Sequence, residues 1–305
     1  MGEAGAPEGD APAAPAAPDA SAVPSYAELA AFRAKVREQG RELYRDLPWR
    51  RTSDPYEIWI SEVMLQQTQV SRVDGRWQRW LARFGTVGAL AAADSADVLD
   101  EWQGLGYNRR ALAVHRAARA IVEAGGAFPS GEKDLVSLPG IGPATAAGIR
   151  AFAFDLHGVY LETNVRAVVL HELFAGREGV PDRELLPVVE ETCPPDGGFA
   201  DDPADDPRSW YYALLDYGAY LKRTVPNPSR RSKAHVRQSR FEGSRRQKRA
   251  ALVRALLARR VGAAEELSAD VAAEGIDLDA RLAAELLDEL ASEGFCRCEG
   301  GAWLI

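Results

Sequence analysis

Cysteine is scarce: the 305 residues contain three, Cys193, Cys296 and Cys298. So few, so unevenly placed, exclude a disulfide framework. Cys296 and Cys298 form a C-x-C pair without a second pair of ligands nearby, and a tetrahedral metal site takes about four. The four histidines, His115, His157, His171 and His235, show no metal-ligand spacing and suit surface or satisfied interior positions. Apolar runs are short, and none approaches the roughly 18 residues needed to span a bilayer, so no membrane association is expected. The opening "MGEAGAPEGDAPAAPAAPDASAVPS" lacks the basic start and continuous apolar core of a secretory signal. Its Ala/Pro/Gly-rich composition predicts a disordered tail over residues 1–25, and a cytoplasmic protein is the expectation, nucleoid-associated if prokaryotic. Strand-like alternation is nearly absent as well. The class is all-α.

Basic excess is also missing, since the net charge is −8. Its distribution matters more than its sum. From Lys222 to Arg249 eleven lysines and arginines face one acid, Glu242, while the acids gather in the tail and beyond residue 261. Such a band is a sign of phosphate contacts; a solvated charge run is the bland alternative. Helical spacing of apolar residues predicts helices over 26–45, 55–68, 70–83, 86–92, 95–101, 107–124, 132–137, 143–153, 163–175, 182–192 and 207–220. No fixed-period repeat is evident. "PPDGGFADDPADDP", from Pro194, reads as a loop, and 222–246 as an irregular basic arm. A second unit over 247–305 offers three helices and a hairpin turning at Gly300-Gly301, a winged-helix-like module. Glu285, Asp288 and Glu289 on its third helix make an awkward surface for a DNA groove, so the module's role is structural or protein-binding.

Two stretches carry chemistry. In "PYEIWISEVMLQQTQV", from Pro55, Glu62 stands among Ile58, Trp59, Ile60, Val63, Met64 and Leu65. It is either the polar face of a helix or a carboxyl whose pKa desolvation raises, able to hold a proton near neutral pH. "LPGIGPATAAGI", from Leu138, reads as a tight turn between two helices. Gly140 and Gly142 let backbone N–H groups approach a phosphate at a helix start, with Pro143 at the first helical position and Thr145 adding a contact. Glu162 precedes the apolar-periodic run "VRAVVLHELF" at another helix start, where the dipole favours an anion.

"SEVMLQQTQV", "WQGLGYNRRA" from Trp102, "LPGIGPATA" and "ETNVRAV" from Glu162 occur in the order and spacing of the helix-hairpin-helix (HhH-GPD) DNA glycosylases. Within that superfamily, "PWR", "DPYEIWISEVMLQQTQV" and "GLGY" most closely resemble the adenine DNA glycosylases of MutY type, over roughly residues 45–222. The resemblance implies a two-lobed helical fold over 26–221. It implies that Glu62 is the general acid protonating the departing adenine, and that Glu162 takes the place of the aspartate that stabilises the oxocarbenium-like sugar. It further implies that Gln67 and Tyr107 wedge into the base stack, and that Gly140 and Gly142 form the phosphate-binding hairpin. Two carboxyls whose environments push their pKa values apart suit such a reaction.

Three departures matter. Glu replaces Asp at 162, one methylene longer. Ala144 stands where bifunctional relatives carry a Schiff-base lysine, which predicts a monofunctional hydrolase without lyase activity. Lys222, Ser229, Ser232 and Gln238 occupy the four cysteine positions of the relatives' [4Fe–4S] loop, so no iron–sulfur cluster or other cofactor is expected. The loop is then expected to act as an arm whose Arg230, Arg231, Lys233 and Arg237 meet phosphates. The leading expectation is a monomeric base excision repair enzyme acting on double-stranded DNA, removing adenine opposite 8-oxoguanine or guanine. A thymine/uracil mismatch glycosylase and a non-catalytic lesion-binding protein remain open.

Overall fold

A computed structural model describes residues 24–199, 202, 205–237 and 240–305. The expected tail lies, up to residue 23, outside the described residues, as does Gln238.

The helices follow the predicted series closely. They are α1 (Tyr26–Glu42), α2 (Pro55–Leu65), α3 (Val70–Val73), α4 (Arg76–Arg83), α5 (Val87–Ala92), α6 (Ser95–Glu101), α7 (Arg109–Glu123), α8 (Glu132–Ser137), α9 (Pro143–Phe154), α10 (Thr163–Glu172), α11 (Asp182–Thr192) and α12 (Pro207–Thr224). Local chemistry sets their starts. Ser25 and Glu28 form a capping box on α1, and Asp54, Thr86, Asp94 and Asp206 accept first-turn amides of α2, α5, α6 and α12. Each such cap is worth about 1 kcal/mol. One expectation fails in detail. The helix read over 70–83 breaks into α3 and α4 at Gly75, whose φ of 78° an α-helix cannot accommodate.

The apolar residues divide into two cores. One gathers α2, α4 to α7 and α9 around Trp59, Trp80 and Trp102; the other gathers α1 and α9 to α12 around Phe152, Trp210 and Tyr211. α2 and α9 serve both. Ile58 and Ala147 face the second core while Trp59, Ile60, Ala146 and Ile149 face the first. This septum explains why α2 is apolar almost all round, since a helix buried on two sides has no broad polar face. The arrangement is the all-α, two-lobed fold that the motifs predict.

The C-terminal segment adds α13 (Arg245–Arg259), α14 (Ala264–Ala273) and α15 (Ala280–Ser292). Its hairpin strands are β2 (Arg297–Glu299) and β3 (Ala302–Leu304), and a further strand, β1 (Val261–Gly262), pairs antiparallel with β3 to give the order β1-β3-β2. β1 is too short to show alternation in sequence. The segment's core, with Leu252, Leu256, Leu286, Leu290, Phe295 and Trp303, is continuous with that of the first lobe. No helix among the described residues is long and apolar enough to cross a membrane.

Candidate active site

Glu62 emerges from the septum, on the α2 side that meets α9 at the junction of the two cores. It has room only because α9 carries Gly148 there. A Cβ on Gly148 would fall 2.5 Å from Oε2 of Glu62 and 2.9 Å from the Tyr160 ring. The Tyr160 hydroxyl donates to Oε2 of Glu62 at 2.9 Å. Burial pushes the Glu62 carboxyl up to about 7, with Glu162 adding to the rise and the Tyr160 hydrogen bond opposing it. These surroundings favour the second of the two readings of this glutamate, a proton-holding acid at a helix seam and not part of a solvated polar face.

Glu162 is the N-cap of α10. Its Oε1 accepts the amides of Asn164 at 2.5 Å and Val165 at 3.1 Å. Burial raises its pKa, while the Val165 amide, the charge of Lys222 and the Asn164 amide favour the ionised form. The longer side chain curls onto its own helix and caps it as an aspartate does on α2, α6 and α12. Both carboxyls are displaced upward, so burial does not push them in opposite directions as expected; amides and an ammonium hold Glu162 back, whereas Glu62 meets a single hydroxyl and a like charge. Tyr160 feels both carboxylates. The two acids share one site.

In the hairpin only Gly140 needs its glycine conformation. Its φ is 79°, and a Cβ there would press to 2.6 Å from Cβ of Ala113. Gly142 has an ordinary φ of −89° and nothing within 4 Å of the position of a Cβ. Its contribution is a bare approach to the start of α9, whose first-turn amides have no side-chain cap. Such a surface suits an anion. Thr145 accepts a hydrogen bond from Nε2 of Gln66 at 3.1 Å, so its hydroxyl also ties the hairpin helix to the end of α2.

Gln67 and Tyr107 share a feature that composition does not reveal. Both have left-handed backbones, with φ of 52° and 49°, and both are exposed. A non-glycine residue there costs about 1–2 kcal/mol. Arg110 supplies what holds them. Its guanidinium donates to the carbonyls of Val63 (2.7 Å), Met64 (3.2 Å) and Gln66 (2.6 Å), and across to Thr68 and to the Leu105 and Gly106 carbonyls. One half-buried cation thus joins the end of α2 to the "GLGY" turn. Beside it, a cleft of about 210 Å³ opens between Trp59, Val63, Arg109, Arg110, Pro139 and Gly140.

The basic arm divides. Arg230, Lys233 and Arg237 are exposed, as phosphate partners would be. Arg231 is a correction. Its guanidinium turns inward and donates to the carbonyls of Leu170 (2.5 Å) and Phe174 (2.7 Å), closing the end of α10. Orphan carbonyls at a helix C-terminus attract a cation as strongly as a distant phosphate does. The arm's start is ordered too, with a 3₁₀ turn over Pro228–Arg231 and a parallel bridge from Ser232 to Val180. Ser229 and Ser232 are buried, their hydroxyls engaged with Asn227 and with the Ala234 amide, and Lys222 lies half-buried in the field of Glu162. These donors do not fit a four-thiolate cluster.

Sequence reasoning missed Tyr160, Gly148, Arg110 and Lys222 as parts of the site. A tyrosine two residues before Glu162 is the only signal for the first. For Gly148 it is a glycine at a helical position, which costs about 1 kcal/mol without a packing reason.

Residues 60–204 match the family described as HhH-GPD superfamily base excision DNA repair protein. The adenine DNA glycosylase of Mycolicibacterium smegmatis is 41% identical over 154 residues, covering 50% of this chain and 53% of that protein. The adenine DNA glycosylase of Homo sapiens is 37% identical over 153 residues, covering 47% of this chain and 28% of that protein. The chain thus spans about half the length of such relatives, or less. A thermostable thymine-DNA glycosylase superposes with a TM-score of 0.54 at 22% identity, over 63% of this chain and 87% of that one, and shares the fold. Residues 60–204 thus match the HhH-GPD superfamily of base excision DNA repair proteins, and these relatives to which the chain is similar are named adenine DNA glycosylases.

Proposed function

We propose that this protein is a monofunctional adenine DNA glycosylase of base excision repair, acting as a monomer on double-stranded DNA in the nucleoid or cytoplasm. Its substrate is adenine mispaired with 8-oxoguanine or guanine. The observation that carries the reading is Glu62, a carboxyl with a pKa near 7 hydrogen-bonded to Tyr160 at the junction of the two lobes. An acid poised there delivers its proton to the ring of an extruded adenine as the base–sugar bond breaks, and the neutral base departs. Glu162, whose ionised form two amides and Lys222 favour, supplies negative charge to the positive sugar. Water completes the hydrolysis. Ala144 offers no amine for an imine with the sugar, so strand nicking does not follow. Gly140, Gly142 and Thr145 grip a phosphate, assisted by Arg230, Lys233 and Arg237, while Gln67 and Tyr107 fill the gap left by the flipped nucleotide. No iron–sulfur cluster takes part.

The test is a set of duplexes carrying A opposite 8-oxoguanine, A opposite G, T opposite G and U opposite G, each incubated with the protein and cleaved with alkali. Abasic sites at adenine, with no strand break before alkali, are expected. Release of pyrimidines alone would overturn the adenine assignment, and binding without any abasic site would overturn the enzymatic one.

A further inference from the structure

The C-terminal segment sits against the turn that carries Tyr107. Nη1 of Arg246, in the first turn of α13, lies 3.4 Å from the Tyr107 hydroxyl, a contact spanning 139 residues of sequence. From the other side the Arg110 guanidinium lies 5.6 Å from the Tyr107 ring centre and bonds the carbonyls of Leu105 and Gly106 just before it. The tyrosine stands between two arginines, one from α7 and one from the C-terminal segment. Its left-handed backbone follows Gly106 at φ 75°, and its carbonyl accepts the Arg110 amide at 2.9 Å.

The docking that places Arg246 is built from charge and apolar burial together. Glu293, at the end of α15, pairs with Arg109, two residues beyond Tyr107, and with Arg249 of α13 at 2.7 Å. Glu289 takes Arg245 and Arg249. At the far end Arg260 reaches Asp97 of α6 at 3.7 Å, and the apolar core runs on without a break. These pairings engage Glu289 of α15 and Glu293 just beyond it, so the end of that helix is a docking element.

We propose that the C-terminal segment is part of the base-extrusion machinery, with Arg246 a positioning residue that fixes Tyr107 beside the extruded nucleotide of a bound duplex. The proposal rests on the reading of Tyr107 as a wedge residue. A wedge works only if it holds its place against the restacking base pairs. Arg246 braces the hydroxyl end while Arg110 braces the backbone end, so the segment acts on extrusion in addition to any general attraction for DNA.

The test uses the full chain and a duplex carrying 2-aminopurine in place of adenine opposite 8-oxoguanine. Its fluorescence rises on unstacking and needs no bond cleavage, so a failure to release adenine leaves this readout intact. Arg246→Met and Tyr107→Phe are each expected to lower the extruded fraction about five-fold, the worth of one hydrogen bond. The double variant is expected to be no worse than either single one, and Arg246→Lys to recover part of the loss. Additive effects would overturn the proposal. So would an Arg246→Met protein that brightens like wild type while losing only affinity and salt dependence, the behaviour of a plain phosphate contact. Wild-type protein that binds the duplex without brightening would overturn it as well, by removing the extrusion that Tyr107 serves.

Discussion

Replacing Glu62 by Gln should make the protein more stable and less active, with a pH dependence that identifies the cause. The carboxyl has a pKa of about 7 in the fold and an ordinary value near 4.5 when the chain unfolds. A carboxyl with a raised folded pKa favours the native state while protonated, so its contribution is complete below about pH 4.5 and is lost as pH rises through 7. The difference of roughly 2.5 pKa units corresponds to about 3 kcal/mol. Glutamine resembles the protonated acid, keeps an oxygen for the Tyr160 hydroxyl and never ionises. The variant should therefore match wild type near pH 4.5 and exceed it by about 3 kcal/mol above pH 7.5, a gain of roughly 6–12 °C in Tm for a domain this size. Turnover should fall by about 10²–10⁴, as for a lost general acid, while duplex binding persists. Thermal or urea unfolding across pH 4.5–8.5 gives the first quantity and single-turnover base release the second. A stability difference that is flat with pH would show that Glu62 is solvated in the fold, and the argument for its protonation would fail.

Tyr160→Phe removes the hydrogen bond that favours ionised Glu62, so the alkaline limb of the rate profile should move to higher pH; an unmoved limb would separate Tyr160 from the acid. The arm should divide under mutation as it does in the fold. Neutralising Arg230, Lys233 and Arg237 should flatten the salt dependence of duplex binding by about 0.9 in log–log slope per lost phosphate contact. Arg231→Met should leave that slope alone and cost about 1–3 kcal/mol of stability, because it strands the carbonyls at the end of α10. Purified protein should contain no iron and lack the broad visible absorbance of a cluster, which metal analysis and an absorption spectrum check directly.

The features legible in the sequence were those that depend on neighbours along the chain. Helical periodicity located nearly every helix, because amphipathic spacing is the mark of a surface that packs. Glu62 was visible as an anomaly, one carboxylate inside an apolar run, but whether it ionises depended on α9 and Tyr160, 98 residues away. Gly148 shows how such information is hidden. In its own helix it is only a weak helix former, and its purpose exists only opposite Glu62. Arg231 was misplaced for the same reason, since a basic run read by composition cannot say that one member will close a helix sixty residues upstream. The pairing of Glu293 with Arg109 and Arg249 makes the point from the other sign. Of the acids that disqualify α15 as a groove reader along the chain, Glu289 is engaged by Arg245 and Arg249 of α13, while Glu293, just past the helix, docks on Arg109 of α7. Charge in this protein is thus assigned by partner more than by local excess, and Arg230, Lys233 and Arg237, exposed and without an ion pair among the described residues, are the arm residues proposed to meet DNA.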